Sequence, residues 1–318
     1  MTSPNSTLST HRPDLASFVE YDVEASWMGL IGAQIFPFHA VDRVAGNFGR
    51  VTLKSLTQTI ETERAPGSGY NRSKWEFEKD TYSCQEHGQE EPIDDRQAAM
   101  YSDYFRSEVY ATLRARNSVL VNHEKRVQAI MAGASNSFNG SNWGDLTNGT
   151  PIADVDTAVQ NLYDRGIMAN ALVISWKVFR NIIRSDEVIA SLESSGAGVT
   201  ATAGSMNLQK LAEALNIDTI LVGSKQTNSD ATAANTNTLA GIWGDDKAYV
   251  TKIAMTEDIA EPCCGRTFHF TGDGSEEGAH VESYRDETVR SDIIRARMDT
   301  DEKLLYDDAI EVIDTINA

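Results

Sequence analysis

At 318 residues the chain is long enough for two or three domains with a buried core. Its 47 acidic residues against 28 basic ones leave a net charge of −19, a surface that repels nucleic acid and anionic membranes. No apolar run approaches the roughly 18–20 residues of a membrane span, and Cys84, Cys263 and Cys264 form neither a paired framework nor a metal-ligand spacing.

The polar start, Met1 to Pro13, has no apolar core of the signal-peptide kind and is expected to be disordered or laid over a neighbour. Leu15 to Ile35 carries helical apolar spacing (Leu15, Phe18, Val19, Val23, Trp27, Leu30, Ile31) that ends at Phe36-Pro37-Phe38. Residues 48–84 are expected to form a long hairpin, with strands over Arg50 to Ile60 and Lys74 to Cys84. Between them Ala65-Pro66-Gly67-Ser68-Gly69 is dense in turn formers. The second strand alternates Trp75 and Phe77 against Glu76, Glu78 and Asp80, so it has one apolar face to bury. A lone hairpin of that length is at best marginally stable in water, which calls for another surface beneath it.

Ile93 to Ala132 contains neither proline nor glycine, with Pro92 before it, Gly133 after it and acids crowding its start. Tyr101, Phe105, Val109, Leu113, Leu120, Val127 and Met131 recur at helical steps. The spacing predicts one continuous spine helix of roughly 60 Å at 1.5 Å per residue.

Beyond a Gly/Ser/Asn loop, 133–151, the pattern becomes α/β. Helices are expected at Asp154 to Arg165, Val178 to Ala190 and Leu208 to Leu215, and strands at Ala171 to Ser175, Thr219 to Val222 and Ala248 to Ile253. Ser194 to Ser205 and Lys225 to Thr238 are small-residue and polar loops. From Phe268 onward the pattern is extended: His280 to Arg285, Ser291 to Leu305 and Ala309 to Ile316. The last two are expected to pair as an antiparallel ribbon against the spine.

No phosphate-binding loop, dinucleotide fingerprint, nucleophile elbow or HExxH motif is present. Gly272-Asp273-Gly274-Ser275-Glu276-Glu277, between His269 and His280, has no calcium-loop spacing and is taken as a turn. Carboxylate pairs are findable anywhere in so acidic a chain and mark no site. The expectation is a protein without catalytic residues, cofactor or metal.

Several segments, in order, resemble the central region of tailed-virus major capsid proteins. They are Asn170-Ala171-Leu172-Val173-Ile174-Ser175 with Val178-Phe179, Leu211 to Leu215 leading to Ile220-Leu221-Val222-Gly223, and Ile242-Trp243-Gly244. Pro262-Cys263-Cys264-Gly265-Arg266-Thr267-Phe268 and Val281 to Tyr284 leading into Arg290 to Arg295 complete the set. The resemblance implies an α+β Hong Kong 97-like capsid fold. Its parts would be an N-terminal arm (1–46), an extended β-hairpin loop (47–92), a peripheral domain with spine helix (93–150) and long β-strands (262–318), and an axial α/β domain (151–261). It implies self-assembly through pentamers and hexamers into an icosahedral virion shell in the host cytoplasm. Portal, scaffold and decoration proteins would be partners, and the enclosed double-stranded DNA would not be specifically bound. Trp75, Phe77, Pro66 and Tyr70 are the candidate intersubunit contacts. Lys54, Lys74 and Lys79 stand in or near the hairpin, but no acceptor Asn or catalytic Glu accompanies them, so the isopeptide crosslink of some members is not carried over. An encapsulin-like cargo compartment and, more distantly, a soluble cytoplasmic α/β enzyme remain the alternatives.

Overall fold

The computed structural model describes residues 10–11, 29–59, 61–70, 72, 76–101, 106–194, 208–228, 239–272 and 279–317. In chain order, the first part comprises β1 (Thr10–His11), α1 (Gly32–Ile35), β2 (Phe38–Val41), β3 (Ala45–Val51), α2 (Leu53–Thr57), β4 (Phe77–Ser83), β5 (Gln85–Asp94), α3 (Asp95–Tyr101) and α4 (Ser107–Ala132). The middle holds β6 (Ser137–Asn139), α5 (Pro151–Asp164), β7 (Ala171–Ser175), α6 (Trp176–Ile182), α7 (Asp186–Ser194), α8 (Leu208–Leu215), β8 (Thr219–Gly223), β9 (Gln226–Asn228), β10 (Leu239–Gly241) and β11 (Ala248–Thr251). The last part is β12 (Gly265–Phe270), β13 (His280–Asp286), β14 (Ser291–Leu304) and β15 (Ile310–Asp314). The arm helix expected upstream of residue 29, the 195–205 part of the small-residue loop and the acidic turn at 273–277 lie outside the described residues.

Two sheets carry the fold. In the first, β14 pairs along one edge with β5 and along the other with β13 and β12, and β1 and β2 extend the sheet outward. The helix α4 lies over it. Its buried positions step by four (Ala111, Ala115, Val119, His123, Val127, Met131), and the small alanines let the helix approach the strands. Ala115 and Val119 pack on Ala296 and Met298, and Ala111 packs on Val281 and Ile294.

The second sheet has the order β6-β15-β11-β7-β8. Trp143, Val155, Leu162, Leu172, Ile182 and Leu215 fill its helix-covered face. β15 belongs here, antiparallel to β11 and parallel to β6, so the expected ribbon with β14 does not form. Four of its five residues are buried, which demands cover on both faces. Leu305, Tyr306 and the 3₁₀ turn Asp307–Ala309 carry the chain across.

The spine is shorter than its pattern predicts. α4 holds 26 residues, about 39 Å, and Arg106 before it is extended (φ −81°, ψ 104°). Ile93 and Asp94 belong to β5, where Pro92 sits opposite Ile293 on a strand whose one partner among the described residues is β14. A bidentate Arg285–Asp95 pair, both contacts 2.6 Å, pins the start of α3 to β13. The helix Val178 to Ala190 is likewise two helices, divided at Ile183–Ser185.

Two buried polar clusters fix α4 to everything else. The Glu124 carboxylate accepts from Ile31 N (3.0 Å), Gly32 N (2.5 Å) and Trp243 Nε1 (2.6 Å), joining spine, arm and second sheet. Burial pushes its pKa up against the pull of those donors. Two residues on, Arg126 grips Glu302 of β14 through two bonds of 2.7 and 2.9 Å. His123 sits beside that pair, 3.2 Å from Thr267 Oγ1 and stacked on Phe38. The three cysteines are buried free thiols, and burial raises each. Among the described residues no helix is long and apolar enough to cross a membrane.

Glu124→Ala leaves three donors buried without an acceptor, at about 1–3 kcal/mol each, so the expected loss is at least about 3 kcal/mol by denaturant melting. A loss under about 1 kcal/mol contradicts the clasp. A second expectation concerns acid. Burial holds the His123 pKa down at about 4, against 6.5 for a freely solvated imidazole. Between those values the unfolded chain takes the proton and the folded chain refuses it. Stability is therefore full above pH 6.5 and falls by about 3 kcal/mol as pH drops to 4. His123→Gln flattens that limb of the stability–pH curve; an unchanged limb contradicts the assignment.

Candidate assembly surface

β3 and β4 form an antiparallel ribbon with Ala45 opposite Ser83 and Val51 opposite Phe77. The first strand thus lies upstream of the expected 50–60, and Thr52 instead caps α2 through Ser55 N at 3.3 Å. The inward row is Phe48 and Tyr82. Both rings rest on buried Phe268, at 4.9 and 4.8 Å between centroids, with His39 edge-on from the other side. Gly46 is required there, because a Cβ would stand 2.7 Å from the Tyr82 hydroxyl. Arg50 pairs with Glu78 at 2.6 Å, donates to the Leu305 carbonyl and lies over the Tyr306 ring, while the Tyr306 hydroxyl donates to Val51 O at 2.6 Å. The base of the hairpin is therefore riveted to the protomer.

Past the base the chain leaves the body. The described residues of 61–72 are all exposed. Ala65-Pro66-Gly67-Ser68 closes a turn by Ser68 N to Ala65 O at 3.1 Å, with Gly67 at φ +86°. This is a type II arrangement: proline presets the first corner and glycine supplies the positive φ of the second. Nothing lies within 4 Å of the Cβ position of Gly67 or Gly69. The Arg64 guanidinium sits 4.7 Å over the Tyr70 ring.

Of the four candidate contacts, Pro66 forms the turn, Tyr70 is 74% exposed and Phe77 is 66% exposed on the outward row of β4. Trp75 lies outside the described residues. Residue-type reasoning missed Phe48, Tyr82 and Arg50, which hold the hairpin's base. The alternation Gly46-x-Phe48-x-Arg50 was the available signal. Among the described residues no group of three or more His, Cys, Asp or Glu side chains is placed to hold a metal ion.

No protein-family model matches the sequence, and no curated protein sequence matches it. Solved structures do. A phage-related protein from Bordetella bronchiseptica RB50 superposes with a TM-score of 0.68 at 20% identity, covering 97% of this chain and 98% of that one. The capsid structure of cyanophage P-SCSP1u gives 0.59 at 12% identity, covering 89% and 87%. A virus-like particle from Pyrococcus furiosus gives 0.55 at 12% identity, covering 94% and 98%. The described hairpin base, spine helix, long strands and five-stranded α/β region thus have the fold of phage capsid proteins. The particular fold is the Hong Kong 97-like one that the sequence segments resembled.

Phe268→Ala removes the buried ring under the hairpin and is expected to cost about 3–5 kcal/mol. Phe77→Ala removes a largely exposed ring and is expected to cost under about 1 kcal/mol of protomer stability. Equal losses in denaturant melts would place Phe77 in the protomer's own core.

Proposed function

We propose that this chain is the major capsid protein of a tailed double-stranded DNA phage, a structural protein rather than an enzyme. Its copies assemble through pentamers and hexamers into the icosahedral shell of the virion, in the host cytoplasm. The observation that carries this is the hairpin: its base is anchored, while Tyr70, Pro66 and Phe77 are held out in water on a capsid-type fold. Large apolar groups presented on an exposed extension favour burial against another copy, and closure multiplies modest contacts. The working division is arm, hairpin, peripheral domain and axial domain, with β15 in the axial sheet. Portal, scaffold and decoration proteins are the further partners of this reading, and the acidic chain encloses DNA without gripping it.

The second reading is a cargo compartment of encapsulin type, supported by the likeness to the Pyrococcus particle. Packaged double-stranded DNA in isolated particles favours the virion, and a protein cargo favours the compartment.

Copies carrying −19 each repel over a Debye length of about 10 Å at 0.1 M salt and about 3 Å at 1 M. Light scattering of the purified chain is expected to show capsomers or megadalton particles that increase as salt is raised. A monomer of about 35 kDa at every salt concentration contradicts the shell reading, and shells that dissociate steadily from 0.1 to 1 M contradict the charge argument.

A further inference from the structure

The stretch 252–264 has no strand or helix of its own, yet it is held firmly. The Glu261 carboxylate accepts from Met255 N (3.1 Å), Thr256 N (2.8 Å) and Thr256 Oγ1 (2.7 Å). The Arg266 guanidinium, 1% exposed, donates to the carbonyls of Thr256 and Asp258, both at 2.7 Å. A buried cation is costly unless its partners stay in place, so this loop has one workable conformation. Met255 nevertheless stands 77% exposed on it.

Met255 lines a hollow of about 180 Å³, whose walls are mainly apolar: Leu221 of β8, Ile253 and Ala254 stand with it. This hollow is also built in advance. Asn170 donates from Nδ2 to Ile253 O (2.9 Å) and accepts from Ile253 N (2.8 Å), while its backbone carbonyl accepts from Thr219 N (3.0 Å). An apolar cavity of about 150 Å³ takes up benzene, so this one has room for a leucine, methionine or phenylalanine side chain.

Charge selects what enters. Asp218 lines the hollow and is exposed, and among the described residues it has no ion-pair partner. Glu257 and Asp258, exposed on the Met255 loop, add two carboxylates nearby in the chain, and the hollow's lining holds no cation. A second copy, at net charge −19, would bring more acid to this rim, whereas a cationic segment is drawn to it.

We propose that the hollow receives a basic segment of a different protein. One apolar side chain enters between Leu221 and Met255, and the Lys or Arg next to it pairs with Asp218. The unbranched thioether of Met255 lets the wall adapt to anchors of different shape. This inference does not rest on shell assembly; it adds a partner that the protomer's own surface selects.

Fluorescence anisotropy of the full chain with dye-labelled Gly-Phe-Lys-Lys-Gly peptide tests it. Saturable binding is expected. Asp218→Lys, which reverses the rim, and Ala254→Phe, which fills the hollow, are each expected to weaken it about fivefold or more, with Asp218→Lys leaving the melting curve unchanged. Labelled Gly-Phe-Glu-Glu-Gly and Gly-Ser-Lys-Lys-Gly are each expected to bind about tenfold more weakly or worse. Equal binding of either control peptide, binding untouched by Asp218→Lys, or no saturation at millimolar peptide overturns the proposal. Particles that form from the wild-type chain without binding peptide, and are lost with Ala254→Phe, make the hollow a contact between copies and overturn it as well.

Discussion

A carboxylate buried in the middle of the spine helix, surrounded by N–H groups, ties together three parts of the chain that are far apart in sequence. Glu124 holds the arm at Ile31 and Gly32, 92 positions away at the nearer contact, and Trp243 of the second sheet's flank, 119 positions away. Its neighbour Arg126 holds Glu302 on the other sheet. Buried charge is costly unless every partner is in place, so the helix has one workable register against both sheets. The apolar cluster around it, with Ile35, Phe36, Val127, Met131, Trp243 and Tyr249, then closes without help from the hairpin tip.

That self-sufficiency explains the hairpin's form. Its base spends its aromatic residues on Phe268 and its arginine on Tyr306 and Glu78, which fixes the direction in which the ribbon leaves. Among the described residues the ribbon beyond Val51 pairs with no further strand, and its end closes in the turn at Pro66-Gly67. On the reading we propose, this exposed, partly apolar extension gains its burial from another copy. The acidic remainder of the chain meanwhile limits association to surfaces that match.

Much of this was legible in residue pattern. β7, α8 and β13 stand within a residue of their expected bounds, because each is a short apolar run or amphipathic stretch bounded by turn residues. The break before α4 was not legible. Residues 93–132 hold no Gly or Pro, and α3 is set apart by the Arg285–Asp95 pair and by the pull of Ile93 and Asp94 into β5. The strand Ala45–Val51 lies upstream of where residue type places it because Ala, Gly, Asn and Arg have weak strand preferences; Tyr82 and Phe268 impose it from outside. Glu124 reads in sequence as one more solvated acid, since its partners are revealed only by the fold. The three apolar residues of Ile310-Glu311-Val312-Ile313, by contrast, did carry the sign of a strand covered on both faces.

The central claim is that folding and assembly are separable, with the body closed by its buried clasp and the tip left for another copy. Sedimentation velocity of the chain with residues 62–72 replaced by a short Gly/Ser turn tests this most directly, because one experiment reports both compactness and mass. The account predicts a single compact species of about the monomer mass under conditions in which the intact chain sediments as shells. An expanded or aggregated species would place the tip in the protomer's own core, and normal shells would show that the tip has no part in assembly.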